Sequence, residues 1–312
     1  MENPKSSLHL ATPLLESHAL NARLGKRVYF KMESHQPTRS FKLRGMGHLV
    51  TTKIAEGQRD FIASSGGNAG YSLAYAAARL GGRVHVVVPQ STPERMRTLI
   101  AGEGATVQVH GESWNDANEL ALELVGRTGG YYVSPFDDAL LWEGHSTLID
   151  ECVTQMPEPD IVVAAVGGGG LLAGILQGME RYGWKRASMI AAETEGAASY
   201  HAALEAGKLV TLDKIDTVAT TLGARRVAAQ AFDWSKRRNI QSHVCTDAEA
   251  VGAVRSFAND LGVLVEASCG AALSTVYLPS PKISDADTIL VVVCGGAAMD
   301  FDGLNALIDR LL

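Results

Sequence analysis

An uninterrupted apolar run, Ile161–Val166, passes directly into four consecutive glycines, Gly167–Gly170, and then into a helix-like pattern from Leu171. No other feature constrains the fold as strongly. A continuous run of this kind reads as a strand buried on both faces, which belongs to a parallel sheet. Four successive glycines lose so much chain entropy on ordering that a specific role must offset it. At a strand-to-helix turn that role is anion binding: the first helical amides lack partners, and small residues let a phosphate come close. The loop lacks the Lys-Ser/Thr ending of an ATP-binding P-loop. Gly168, Gly170 and Ala173 also satisfy the permissive dinucleotide pattern, and Glu193 closes the next strand near where a ribose-binding acid would stand. On this segment alone a nicotinamide-dependent oxidoreductase stays open.

The same alternation recurs from about residue 60 onward. Strands are predicted at Phe61–Ser64, Val84–Val88, Thr106–Val109 and Tyr131–Val133. Helices fall between them at Ala69–Leu80, Pro93–Ala101 (with Thr92 as cap) and Trp114–Gly126. A second unit has strands at Ile161–Val166, Met189–Glu193 and Thr288–Val293. Its helices are predicted at Glu143–Cys152, Leu171–Arg181, Val227–Arg237, Ala248–Leu261, Cys269–Tyr277 and Gly303–Leu311, with Leu278–Asp287 a loose, turn-rich loop. Strands alternating with helices imply an α/β fold of open, twisted, mostly parallel sheets with right-handed crossovers.

The 312 residues are 46% apolar and 20% charged, which suffices for a large core and two domains. A net charge of −6 without a basic tract argues against nucleic acid or an anionic membrane as partner. No apolar run reaches the length of a membrane span, and residues 1–10 carry no signal-peptide pattern. Cys152, Cys245, Cys269 and Cys294 are too widely spaced for a zinc or disulfide framework, which fits a reducing cytoplasm. The nine histidines show no metal-binding spacing.

Three further segments carry chemistry. Lys42 lies in Ser40-Phe41-Lys42-Leu43-Arg44-Gly45, after a Pro/Thr turn. An amine in an apolar setting loses part of its preference for charge, the condition for a nucleophilic lysine; the plain alternative is a snorkelling surface residue. Ser64-Ser65-Gly66-Gly67-Asn68-Ala69-Gly70 joins a strand to a helix and offers a second anion site, or simply a turn capped by Asn68. Val291-Val292-Val293-Cys294-Gly295-Gly296 places Cys294 at the carboxyl edge of a sheet, where ligands of open α/β folds bind, unless it is only a small buried hydrophobe.

Taken in order, these strings resemble the fold-type II pyridoxal-phosphate enzymes, the tryptophan synthase β-like family, over nearly the whole chain. They look most like the catabolic L-serine/L-threonine dehydratases. Pro135-Phe136-Asp137-Asp138 and Trp142-Glu143-Gly144-His145 add to the match. The resemblance implies a smaller domain, residues 41–136, inserted in a larger one made of 1–40 and 137–312. It implies that Lys42 links covalently to pyridoxal 5'-phosphate and, once freed, removes the substrate α-proton. Phe41 would flank the ring, Gly167, Gly168, Gly169, Gly170 and Leu171 would hold the phosphate, Asn68 would face the ring hydroxyl, and Cys294 the ring nitrogen. Ser65, Gly66, Asn68 and Ala69 would hold the substrate carboxylate. The implied reaction is β-elimination from L-serine or L-threonine, giving the 2-oxo acid and ammonia. Serine racemase and β-replacement synthase are the alternatives within the family, although those enzymes generally present serine where this chain has Cys294. A catalytically silent relative is a third possibility, against which Lys42 argues.

The family also implies a monovalent cation, with potassium expected, held by Glu193, Ala197 and Ser199 and by the carbonyls of Leu222 and Ala224. The alternative makes Glu193 a helix cap. A homodimer is implied by resemblance alone. Gly66 stands where relatives carry Ala or Gly, so a looser substrate loop is expected, with Gly66→Ala raising kcat/KM. The chain stops soon after its last predicted strand, so feedback control through an appended regulatory domain is not expected.

Overall fold

The computed structural model describes residues 7–312. β1 (Leu14–Glu16), α1 (His18–Leu24) and β2 (Arg27–Lys31) come first, then α2 (Lys42–Ala55). β3 (Asp60–Ala63), α3 (Asn68–Leu80), β4 (Arg83–Val88), α4 (Glu94–Gly102), β5 (Thr106–Val109), α5 (Trp114–Thr128) and β6 (Tyr131–Tyr132) follow. After α6 (Ala139–Gln155) come β7 (Ile161–Ala165), α7 (Gly170–Arg181), β8 (Ser188–Thr194), α8 (Ser199–Ala206) and α9 (Ala229–Trp234). The chain closes with β9 (Ile240–Cys245), α10 (Asp247–Leu261), α11 (Ala267–Tyr277), β10 (Thr288–Val292) and α12 (Phe301–Leu311).

The strands form two sheets. One has the order β1-β2-β10-β7-β8-β9, the other β5-β4-β3-β6. All pairings are parallel except that of β1 with β2. The sequence therefore builds the four-stranded sheet between the second and third strands contributed to the six-stranded one. β7 and β10 are buried at every residue, as central strands covered on both faces must be.

Helix α6 joins the two cores. Its Leu141 packs with Leu43, Met46 and Leu73 beside the smaller sheet, while Leu148, Ile149 and Cys152 enter the core of the larger. Its contact with α2 is backbone to backbone: a Cβ on Gly144 would lie 2.4 Å from the Arg44 carbonyl and 2.6 Å from Gly45 Cα.

A buried ionic cluster braces α2. Arg44 is fully enclosed; its Nε and Nη2 each donate to the Glu33 carboxylate at 2.7 Å, and Nη1 donates to Glu151 at 2.6 Å. Lys31, also fully buried, reaches Glu151 at 2.6 Å and the Thr12 carbonyl at 2.7 Å. Burial alone would weaken the hold of Arg44 on its proton, but Glu33 and Glu151 reverse this and raise its pKa. The cluster ties the N-terminal arm, β2, α2 and α6 together.

Several expectations are corrected. Thr92 does not cap α4: Pro93 takes the capping position and makes no side-chain cap, and the Thr92 amide bonds the Pro89 carbonyl. α9 is limited to Ala229–Trp234, shorter than the predicted 227–237. The 278–287 segment is anchored, with Ile283 and Ala286 in the core. β1, β2, α1, α2, α8 and β9 carry too weak a pattern to be read in advance. β9, Ile-Gln-Ser-His-Val-Cys, is an edge strand half-buried almost throughout, so no clean alternation marks it.

Candidate active site

Lys42 is the first residue of α2. The turn that delivers it is held by the end of the central strand: the Phe41 amide donates to the Cys294 carbonyl at 3.1 Å, and Gly296 donates to the Arg39 carbonyl at 2.7 Å. Arg39 has a left-handed backbone, φ 58°, which reverses the chain into the helix. The Lys42 amine donates to the Pro135 carbonyl and sits 5.1 Å from the centre of the Phe41 ring. Burial lowers its pKa from 10.5 to about 8, because the enclosing apolar groups disfavour the ammonium form.

The tetraglycine loop adjoins this amine. Pro135 accepts from Lys42, and the next residue, Phe136, roofs the loop: a Cβ on Gly168 would fall 2.1 Å from the Phe136 ring, and one on Gly170 2.6 Å from its carbonyl. Gly169 has φ +86°, and a Cβ there would meet Ala231 at 2.5 Å. No larger residue fits this cradle. α7 starts at Gly170 without a side-chain cap, and buried Leu171 follows, so the first-turn amides remain as donors for an anion.

Asn68 opens α3 but does not cap it. Its side chain turns to the larger sheet instead. Oδ1 accepts from the Ala297 amide at 2.9 Å, and Nδ2 donates to Glu266 at 3.0 and 3.2 Å. Ser65, Gly66 and Asn68 are half-buried and Ala69 is buried. Cys294 is 8% exposed, and its thiol pKa is held well above the usual range by the hydrogen bond the thiol donates to Cys269 and by burial. It is protonated at neutral pH.

The expectation for Gly66 reverses. A Cβ there would lie 2.5 Å from the Thr92 methyl and 3.0 Å from Val88. Gly66→Ala alone should displace the loop and lower kcat/KM by roughly 10-fold, less than the ~100-fold that a misplacement of about 1 Å can cost. Gly66→Ala with Thr92→Ala should recover much of the loss, because it removes both the Thr92 methyl and the hydroxyl oxygen that lies 2.8 Å from the added Cβ, and steady-state kinetics of the two variants checks this.

Glu193 ends β8, where its two oxygens accept from the Tyr200 and His201 amides at 2.8 Å each. This is the capping geometry, and burial still raises its carboxyl pKa to about 7. Ala197 is buried in the turn before α8, and the Ser199 hydroxyl is buried without a hydrogen-bond partner. Leu222 and Ala224 lie in a separate turn, where the Leu222 carbonyl already accepts from the Ala224 amide at 2.7 Å. The five residues thus come from two segments of the chain.

Sequence reasoning missed Glu266 and Thr221, and noted Pro135 only as part of a string. Glu266 had a signal: an acid directly after Val263-Leu264-Val265 has few partners within its own segment. His145 was noted only as part of a string. It packs edge-on to Phe41 with ring centres 4.9 Å apart, and burial keeps it neutral, with its pKa well below the usual value.

A family model described as pyridoxal-phosphate dependent enzyme matches residues 5–295. The chain belongs to that family. This pyridoxal-phosphate dependent enzyme is 45% identical to the L-serine dehydratase/L-threonine deaminase of Mus musculus, over 97% of this chain and 96% of the relative. It superposes on a fungal L-serine ammonia-lyase from Rhizomucor miehei with TM-score 0.92 and 37% identity, covering 98% of this chain and 100% of that one. A processed threonine deaminase isoform from Solanum lycopersicum superposes with TM-score 0.90 and 28% identity, over 98% and 84% of the two chains. Family membership closes the nicotinamide reading of Gly168, Gly170 and Ala173. The residues present fit the cofactor: a cradle that any Cβ would fill, uncapped amides for a phosphate, and an enclosed amine with depressed pKa.

Proposed function

We propose that this enzyme removes water from L-serine and L-threonine by β-elimination, releasing ammonia and the 2-oxo acid. The observation that carries this reading is the shared contact of Pro135-Phe136 with both the Lys42 amine and the tetraglycine loop, in a chain so close to a named serine dehydratase. The choice of substrates comes from that relative's name. Pyridoxal phosphate, when bound, supplies the electron sink for breaking the Cα–H and Cβ–O bonds.

The protein's own groups do the rest. Gly167, Gly168, Gly169, Gly170 and Leu171 would hold the phosphate through amides at the start of α7. Phe41 would flank the ring, Asn68 would serve the ring hydroxyl, and the Cys294 thiol the ring nitrogen. A thiol is a weak hydrogen-bond partner, so it would not hold that nitrogen protonated, which would favour prompt elimination over racemisation. Ser65, Gly66, Asn68 and Ala69 bind the substrate carboxylate and orient the Cα–H bond. Lys42, with its pKa near neutrality, takes the α-proton. Residues 41–136 form the substrate lobe, and 1–40 with 137–312 the cofactor lobe. The widely spaced cysteines support a cytoplasmic enzyme, and the family resemblance supports a homodimer. No helix among the described residues is long and apolar enough to cross a membrane.

A potassium ion belongs between Glu193, Ala197, Ser199, Leu222 and Ala224. The unpartnered Ser199 hydroxyl and a buried carboxylate without a countercharge support it. Replacing potassium by a bulky quaternary ammonium ion should lower activity several-fold, and Glu193→Gln should remove that dependence. Because the empty carboxylate protonates near pH 7, half-activation should need more potassium as pH falls below about 7. Potassium titrations at two pH values decide this.

Purified protein should carry a visible yellow absorbance and release 2-oxo acid and ammonia from L-serine and L-threonine supplied separately. Racemisation without ammonia release would reverse the assignment.

A further inference from the structure

Glu266 has no part in the reading above, yet it is the most unusual charge at the site. It is 5% exposed and stands immediately before α11. Every group bonded to it is neutral: Asn68 Nδ2 on both oxygens, the Ala298 amide on Oε1 at 3.1 Å, and the Thr221 hydroxyl on Oε2 at 2.7 Å. Burial without a paired cation disfavours the ionised form and raises its pKa. The backbone makes room for it. Gly296 has φ +139°, and a Cβ there would stand 2.1 Å from Glu266 Cγ. A fold that sets aside a glycine and three donors for one buried carboxylate is using it as a fixed acceptor.

Its partners show what it fixes. Asn68 comes from the smaller sheet's first loop, whereas Glu266, Ala297 and Ala298 come from the larger sheet's side. The Asn68 amide is gripped at both ends: Ala297 N–H requires the oxygen at one edge, and Glu266 requires the nitrogen at the other. Without Glu266 the amide can rotate or swing out. We propose that Glu266 is a positioning residue that locks the rotamer and the facing of Asn68 across the gap between the two sheets. This rests on the reading that Asn68 faces cofactor and substrate.

Glu266→Leu keeps much of the shape but removes both acceptor oxygens, so Asn68 Nδ2, the Ala298 amide and the Thr221 hydroxyl all lose their partner; Glu266→Gln could still accept from Asn68 and Ala298 through one oxygen and donate to Thr221. In the cofactor-free protein, amide hydrogen exchange at Ala297 and Ala298 should accelerate at least ~10-fold, since opening of these bonds limits exchange. In the loaded enzyme, KM for L-serine should rise and kcat fall, with kcat/KM down roughly 100-fold, as expected when a binding group shifts by about 1 Å. Asn68→Ala with Glu266→Leu should be no worse than Asn68→Ala alone, because the second change acts through the first. If Glu266→Leu fails to fold, Glu266→Asp, which retracts the carboxylate, is expected to give the same exchange pattern.

Unchanged exchange at Ala297 and Ala298, or additive losses in the double variant, overturns the proposal. If wild type fails to act on L-serine, the proposed function falls, while the exchange comparison still decides the role of Glu266.

Discussion

Lys42→Ala abolishes turnover of L-serine, by at least ~10⁴-fold, while the protein stays folded. General-base assistance alone contributes up to about that factor, and the covalent tether is lost with it. Borohydride should fix the cofactor to wild type and leave none on the variant. Stability should change little, because the structure holds this amine where its charged form is disfavoured. A pH signature accompanies the result. Only the neutral amine attacks a carbonyl, and with a pKa of about 8 the neutral form dominates above that value. Capture of pyridoxal phosphate by the cofactor-free protein should therefore speed up as pH rises through about 8 and then level off. A folded Lys42→Ala protein that still releases ammonia from serine would falsify the assignment.

The second large effect is on stability. Arg44→Met leaves Glu33 fully buried with only Thr12 and Gln36 as partners, and deprives Glu151 of a two-pronged contact. Removing one member of a buried ionic cluster typically costs about 3–5 kcal/mol, because a charge remains without compensation. Urea denaturation should show a loss of that size. Arg44→Met with Glu33→Gln should be less damaging than Arg44→Met alone, since the stranded charge is then gone. Acid should act in the same direction. Burial works against ionisation of Glu151, but Arg44 and Lys31 outweigh it and hold its pKa below the usual value. Its contribution to stability is present above the ordinary carboxyl range and is lost as pH falls through the lowered folded value. A midpoint unchanged by Arg44→Met would refute the bracing role.

The cofactor loop was legible because its signal is local. A buried strand, four glycines and a helix leave few alternatives, and the structure shows the cradle that pattern requires. Lys42 was legible as an odd residue, although the sequence did not show that it begins a helix. Glu266 was not legible as a site residue, since its meaning depends on Asn68, 198 positions away along the chain. Gly66 misled for the same reason: a loose loop is a fair reading of glycine until Thr92 is seen against it. The N-terminal strands escaped because Lys31 ends β2 as a buried charge, and only its contact with Glu151 makes that placement tolerable.

The glycine seam between α2 and α6 has a mechanical consequence. The two helix backbones touch there with no side chain between them to yield: a Cβ on Gly45 would lie 2.5 Å from the His145 ring and 2.8 Å from the Leu141 carbonyl. Lys42 lies one helical turn from Gly45 on the same helix. A single added methyl at either glycine would therefore wedge the helices apart and carry the first turn of α2, with its amine, out of place.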